Sequence, residues 1–478
     1  MAVEPVAGSA ATEPLLQQEQ GATAHYRIIV EDADLPSKSN LGVSIPQAVF
    51  NLVNIYVGIG LLAMPYAFAL SGWMAFAALL ATAGLFCLSA HLIIKCFDKL
   101  DPGESHTYPA LGTAALGPRG QYVVAAFAVA EFFTGSCLVI VVIWQELILC
   151  LPEAGVFGMS AFHATVVISL VAVLPLLLIP SFQGLSWLSL LGCCSTLVVV
   201  LTVAGVVAID PLRRKMPHQP PEPHDVLRLG IVQASGIFAI SLSGHSSLPA
   251  LRNSMREPQK FKTVLNAGFI SMLFIYAIVG GAGYWYWGRS VTALVTTDLA
   301  RSSPFAGKSL LIPGVTVDRI VAACVLVNVY TTYPCLVLVI QDMVWSVMPW
   351  SQGPSGSVRA PLKVTAAAFR ITVFLVGNCI AFAAYSLMGN VMSLMGGICS
   401  MCCSLLLPSS FFMLLYWRNV KPSVRWAVFG ILTGGLALMV LITIENVLDI
   451  RHRLQATQTP LGMQEAAWIF SRQMMTWS

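Results

Sequence analysis

The sequence predicts an all-α polytopic membrane protein with about eleven transmembrane helices, and three observations predict it. Apolar residues make up 57% of the 478 and charged residues 10%, whereas soluble domains carry about 25% charge to cover a water-facing surface. The apolar residues gather into about eleven runs near or above the roughly 20 residues that cross a bilayer. Lysine and arginine concentrate in alternate connections between those runs. A net charge of +4 spread over loops gives no case for nucleic acid as a partner and leaves the lipid bilayer as the expected surroundings.

Residues 1–40 carry Glu13, Gln17, Gln18, Glu19, Gln20, Glu31, Asp32 and Asp34, and are expected to form a disordered cytoplasmic tail. A transmembrane domain over 41–450 follows, with spans at 44–70, 73–97, 121–150, 161–181, 185–209, 228–253, 262–288, 317–346, 362–386, 389–417 and 425–449. The first span is interrupted by Asn51, Asn54, Gly58, Gly60 and Pro65. The third carries Glu131 near its middle and Glu146 near its outer boundary, where water is expected to reach it. Asp210 to Leu227 is a proline-rich loop. The sixth span is less hydrophobic than the rest and broken by polar residues. The eighth contains Thr331 and Thr332. Arg370 lies about two turns into the ninth and is expected to snorkel to the surface. Gly430-x-x-x-Gly434 in the eleventh is expected to be a packing face, and residues 451–478 a C-terminal tail.

Orientation follows from the basic residues. With the N-terminus cytoplasmic, the inner connections carry Lys95, Lys99, Arg119, Arg252, Arg256, Lys260, Lys262, Arg359, Lys363, Arg418, Lys421 and Arg425, and the short outer turns carry none. Arg213, Arg214, Lys215, Arg301, Lys308 and Arg319 fall in long outer loops, which weigh less. The proline-rich loop divides a first repeat, 44–209, from a second, 228–417. These enter the bilayer from opposite sides, as inverted copies would. The eleventh span, 425–449, stands outside the repeat.

The chemistry concentrates where two spans are broken. A glycine weakens a helix by about 1 kcal/mol and a proline by about 3, so Gly58–Gly60 is expected to unwind, or else to form a packing notch. Ser241-Leu-Ser243-Gly244-His245-Ser246-Ser247-Leu-Pro249 places a second polar break at the corresponding point of the second half. Paired breaks at corresponding positions point to a binding site near the midplane. Freed N–H groups favour a carboxylate and freed carbonyls an ammonium, which suits an amino-acid zwitterion.

At these residues the chain resembles the amino acid/auxin permease family. Asn54 through Phe68, with its G-x-G-L-L-x-x-P-Y-A-F ending, is similar to that family's first-helix signature. Gly244-His-Ser-Ser-Leu-Pro249 followed by Asn253-Ser-Met255-Arg-Glu-Pro258-Gln-Lys-Phe261 is similar to its sixth. Tyr284-Trp-Tyr-Trp287-Gly288, Val295-Thr-Thr-Asp298-Leu299 and Tyr333-Pro334 add to the likeness, which spans about residues 43–450. The branches it resembles most are the vesicular inhibitory and the vacuolar amino acid transporters. The resemblance implies a LeuT-like 5+5 fold plus one helix and proton-coupled amino-acid movement. In many vacuolar members the eighth helix carries a lysine beside a threonine, where this chain reads Tyr330-Thr331-Thr332-Tyr333, which leaves the coupling ion open.

The expected function is secondary active transport of a small amino acid by symport or antiport. Candidate substrate-binding residues are Asn54, Gly58, Gly60, Phe132, Ser243, Gly244 and Thr331, with Val57, Ile240 and Tyr330 setting the pocket's volume. Glu131 and His245 are candidates for proton coupling, since an intramembrane acid usually faces a cavity and imidazole titrates near neutrality. The bland alternatives are a structural carboxyl and a histidine that bonds freed backbone. A sodium-coupled carrier would draw on the Thr331 and Thr332 hydroxyls, unless these bond their own backbone. The other alternative is an amino-acid-sensing receptor with little flux, whose N-terminal tail binds a cytosolic partner. No cofactor beyond the coupling ion is expected. With no nucleophile–base arrangement or metal-ligand set, neither is enzyme activity. Glu13-Pro-Leu15-Leu16 is a partial acidic dileucine signal and favours a vacuolar, lysosomal or vesicular membrane over the plasma membrane.

Overall fold

A computed structural model describes residues 42–100, 106–152, 156, 158–178, 182–213, 224–302, 316–348 and 363–457. The 1–40 tail, most of the proline-rich loop and residues 458–478 lie outside the described residues. The first span is two helices, α1 (Ile45–Tyr56) and α2 (Ile59–Ser71). Ser44 and Gln47 form a reciprocal cap at the start of α1, with Pro46 in its first turn. Then come α3 (Ala75–Cys96), α4 (Tyr108–Leu116), α5 (Gly120–Cys150), α6 (Ala161–Leu177) and α7 (Phe182–Arg213). The sixth span is α8 (Ile231–Ser241) and α9 (Leu248–Asn253), joined through a single 3-10 turn, His245–Ser247. The chain continues through α10 (Phe261–Trp287), α11 (Val295–Ser302), α12 (Val317–Val347) and α13 (Lys363–Ala384). Its last helices are α14 (Met388–Met395), α15 (Leu407–Tyr416) and α16 (Pro422–Thr457). Between α14 and α15 the backbone widens into two π-type turns, Gly396–Ser400 and Cys402–Leu406, a distortion that often marks functional sites.

Among the described residues, 8 helical stretches are long and apolar enough to cross a membrane. Alone, α1, α6 and the α8–α9 pair fall short of that length, and they coincide with the first, fourth and sixth expected spans. The outward faces are apolar, with Trp426 73%, Val171 65% and Phe274 64% exposed, as a lipid-facing surface requires. Two short helices, α4 and α11, occupy connections that the sequence marks only as loops. α7 runs past the expected end at 209, and α16 draws residues 451–457 of the expected tail into helix.

The two broken spans lie side by side in opposite directions and are tied at both ends. At one end Val43 N–H donates to Ser254 O (2.9 Å) and Arg256 N–H to Val43 O (3.1 Å). At the other, Trp73 N–H donates to Asp225 O (3.0 Å) and Met74 N–H to Val226 O (2.8 Å), while the Arg228 guanidinium donates to Ala69 O. α8 meets the tenth span backbone to backbone: a Cβ on Gly396 would lie 2.7 Å from Gly236 C and 2.9 Å from Ile240 N. Ser393 Oγ donates to Gln233 O (2.7 Å) and accepts from Asn446 Nδ2 (2.8 Å), which brings α16 into the same contact.

Two expectations are corrected. Among the described residues Gly430 and Gly434 form no packing notch, since a Cβ on either meets none of them within 4 Å, and Gly435 is the glycine that faces Leu405 and Leu406. Arg370 does not snorkel: it is 3% exposed and interacts with Asp342 of α12, so its charge is held by a neighbouring helix and not by the surface.

Because nothing at Gly396 gives way except backbone, Gly396→Ala is expected to destabilise the protein by about 1–3 kcal/mol. Gly430→Ala should stay within about 0.5 kcal/mol of the parent, and thermal unfolding in detergent compares the two.

Candidate functional site

The site forms where the two breaks meet. α1 closes at Tyr56, Val57 N–H still reaches Val53 O (2.6 Å), and Gly58 leaves the helix with φ −111° and ψ −119°. The break is narrower than expected, because Gly60 is already helical in α2. There it is the point of closest approach, since a Cβ on Gly60 would stand 2.8 Å from Ser241 Cα. In the sixth span, Gly244 has φ +132°, a conformation that favours glycine, and its missing side chain makes room for the Tyr56 ring.

Hydroxyls add bonds to the carbonyls at and before the break, two of which also keep a backbone donor, Ser243 N–H to Ile240 O (3.4 Å) and Ser247 N–H to Gly244 O (2.9 Å). Ser241 Oγ donates to Ile237 O (2.6 Å), Ser243 Oγ to Ile240 O (2.9 Å) and Ser247 Oγ to Gly244 O (2.7 Å). The Tyr276 hydroxyl, from α10, stands between the last carbonyls of both half-helices, 2.9 Å from Tyr56 O and 2.7 Å from Ser241 O. Hydropathy did not single out Tyr276. The available signal is that a fully buried tyrosine in an apolar helix needs a partner for its hydroxyl.

Glu131 lies on one side of the breaks, 5% exposed on α5. Its Oε2 accepts from Ser246 Oγ at 3.4 Å. Ser400, Cys403 and Ser243 lie around the carboxyl, with Ser400 Oγ donating to Ser243 Oγ at 3.0 Å and Ser243 Oγ to Ile240 O; Glu131 Oε1 has no hydrogen-bond partner among the described residues. The carboxyl therefore touches the sixth-span break and the π-type turns of the tenth span together. His245 is fully buried beside it. Its Nε2 is 2.8 Å from Phe86 O, and because a carbonyl only accepts, that nitrogen carries the hydrogen. Nδ1 is left to accept from Tyr56 Oη at 3.5 Å. Ser89 Oγ, 3.1 Å from Nε2, has Phe86 O and Ser404 O within reach of its one hydrogen. These bonds fasten the sixth-span break to α3.

Asn54 and Thr331 gather on the other side. A Cβ on Gly192 of α7 would lie 2.8 Å from Asn54 Oδ1 and 3.1 Å from Thr331 Oγ1. Asn328 Nδ2 donates to Gly192 O (3.0 Å) and Thr196 Oγ1 (3.1 Å). The Thr331 and Thr332 hydroxyls both donate to Asn328 O, at 2.7 and 2.9 Å, so each bonds the backbone of its own helix. Gly58 borders a cavity of about one water's size, lined also by Val57, Leu61, Leu62, Thr196 and Asn328. Phe132 is buried on α5 next to Glu131.

Glu146 overturns its expectation. It is fully buried, and Thr296 of α11 donates to its carboxylate. Hydropathy places it near a boundary, and the short helix α11 covers it.

The family model for the transmembrane amino acid transporter protein matches residues 42–448. The chain belongs to the transmembrane amino acid transporter family. It is 27% identical to amino acid transporter AVT1B of Arabidopsis thaliana, covering 93% of this chain and 79% of that one. It is 25% identical to amino acid transporter AVT1H of the same plant, covering 90% and 95%. Among solved structures, a Na+-coupled sialic acid symporter in a substrate-bound outward-open state superposes with a TM-score of 0.50 at 12% identity, over 84% of this chain and 89% of that one. That likeness shows the fold, the LeuT-like architecture that the family resemblance implies.

The transporter's breaks thus offer helix-end carbonyls at Tyr56 and Ser241, a helix start at Ile59, and a buried carboxyl within reach of the sixth-span hydroxyls. The Gly60 contact gives a direct test. Gly60→Ala, which drives the breaks apart, should cut amino-acid uptake about tenfold at equal membrane abundance, the size expected for overpacking by a methyl. Ser241→Gly in that background should recover part of the loss.

Proposed function

We propose that this transporter moves small amino acids by secondary active transport coupled to protons, with Glu131 as the coupling group. The observation that carries this reading is the buried carboxyl of Glu131 placed against Ser243 and Ser246 of one break and Ser400 of the tenth span. In hydrocarbon, an ionised carboxylate without a cation costs at least a few kcal/mol. A protonated Glu131 closes against its neighbours as a donor. An ionised one draws in water or extra hydroxyls, which separates those segments and biases one access state against the other.

The substrate's carboxylate is assigned to the start of α2 near Gly58 and Gly60, and its ammonium to the carbonyl ends of α1 and α8 near Ser243 and Gly244. Asn54, Phe132 and Thr331 complete the lining. His245 is assigned to holding the break, because its Nε2–H is committed to a carbonyl. Residues 44–209 and 228–417 would be the inverted repeats, 425–449 an added eleventh span, and 1–40 a cytoplasmic tail. An endomembrane location is favoured by the acidic dileucine.

The test is radiolabelled amino-acid flux in proteoliposomes with and without an imposed pH gradient. Parental flux should follow the pH gradient and be unchanged when choline replaces sodium. Glu131→Gln should remove the response to the gradient, while His245→Ala should lower flux and keep the response. Loss of the response in His245→Ala alone would move coupling to the histidine. A requirement for sodium that Thr331→Ala and Thr332→Ala abolish would establish the sodium-coupled alternative. Binding without flux across a broad amino-acid panel would make the protein a sensor.

A further inference from the structure

The two carbonyl-ended half-helices converge on one side chain. Tyr56 is the last residue of α1 and Ser241 the last of α8, and both carbonyls point at the Tyr276 hydroxyl, at 2.9 and 2.7 Å. Helix C-termini carry partial negative charge, so two of them meeting make a site that demands a donor. Tyr276 is fully buried and held by the packing of α10 against α1 and α2. A Cβ on Gly268, one face of that packing, would lie 3.2 Å from Leu52 Cγ, and one on Gly283 would meet the Pro65 ring.

Tyr56 O also accepts from Gly58 N–H (3.0 Å), whereas a hydroxyl has one hydrogen, so Tyr276 gives its donor to one carbonyl at a time and leaves the pair short of donors. An ammonium has three N–H donors and satisfies both. We propose that Tyr276 is a positioning residue that stands in for the substrate's ammonium. In the empty carrier its hydroxyl bridges the two breaks, and in the loaded carrier the amino acid's N–H groups take over the same carbonyls. This rests on the reading above that an amino acid binds at the breaks. Its consequence concerns one limb of the cycle. Return of the empty carrier depends on Tyr276, whereas movement of the loaded carrier does not.

Two fluxes separate these limbs. Net uptake into amino-acid-free proteoliposomes requires empty return. Exchange into vesicles preloaded with the same amino acid does not. The probe is whichever labelled amino acid the parent carries best. Tyr276→Phe keeps the ring and removes only the donor. It is expected to lower net uptake about tenfold or more, as loss of a buried backbone partner implies, and to leave exchange within about twofold. Tyr276→His, which restores a ring N–H, should raise net uptake above the Phe variant. In detergent, the Phe variant should melt below the parent without amino acid and level with it at saturation. Net uptake and exchange falling in the same proportion, net uptake unchanged, or a Phe variant that fails to accumulate as folded protein would each overturn the assignment. Absence of flux in the parent would overturn the proposed function instead.

Discussion

Backbone opened in the middle of a membrane bundle must be satisfied by the protein itself, and the site is organised around that constraint. Each unpaired N–H or C=O in hydrocarbon costs several kcal/mol. The breaks after Tyr56 and Ser241 survive because donors surround them: Ser241, Ser243 and Ser247 from the broken span, and Tyr276 from α10. Glycine provides the approach that these short bonds need. Gly60 lets α2 rest on Ser241, Gly244 clears the Tyr56 ring, and Gly236 and Gly396 let α8 touch the tenth span.

The same hydroxyls link backbone to charge. Ser243 bonds Ile240 O, accepts from Ser400 and faces Glu131. On the proposed reading, a change in the carboxyl's protonation would alter how many donors the break has left for its own carbonyls. That shared inventory would give coupling a physical route, since a proton at Glu131 and a ligand at the break would draw on one set of groups. Asn54, Asn328 and Thr331 lie across the first-span break from this set, and their bonds run to α7 and α12.

What the sequence made legible was local. The positions of the spans and of both breaks follow from apolar runs and from Gly58, Pro65, Gly244 and Pro249, whose effects act on their own backbone. Glu131 stood out because a lone acid at that depth is costly wherever it points. Partners across the bundle were not legible. Nothing near Tyr276 in the chain indicates that two carbonyls from spans far away in sequence converge on it, and Ser400 reads as one small residue in an apolar run. Glu146, Arg370 and the Gly430–Gly434 pair were misjudged for the same reason. Hydropathy reports depth, but burial depends on which neighbour covers the face: Thr296 of α11 for Glu146, Asp342 for Arg370, and for the two glycines none of the described residues.

The ties at the ends of the broken spans limit how they can move. Val43 and Arg256 bind the start of α1 to the chain just after α9, so those half-helices are coupled at one end of the bundle. Arg228, Asp225 and Trp73 couple α2 to α8 at the other. Arg289 donates twice to Asp225 and holds its carboxyl below the usual carboxylate range, which keeps the Arg289–Asp225 ion pair beside that tie charged through ordinary pH. Each end therefore shifts as a pair, and the flexible points are the non-helical residues between, Val57–Gly58 and Leu242–Gly244. The Tyr276 hydroxyl reaches the carbonyls that precede both stretches, and the Glu131 carboxyl reaches Ser246 just after the second. On the proposed reading an alternation between two access states would bend there, so a ligand or a proton acting at that point would work on the hinge itself and need no longer path.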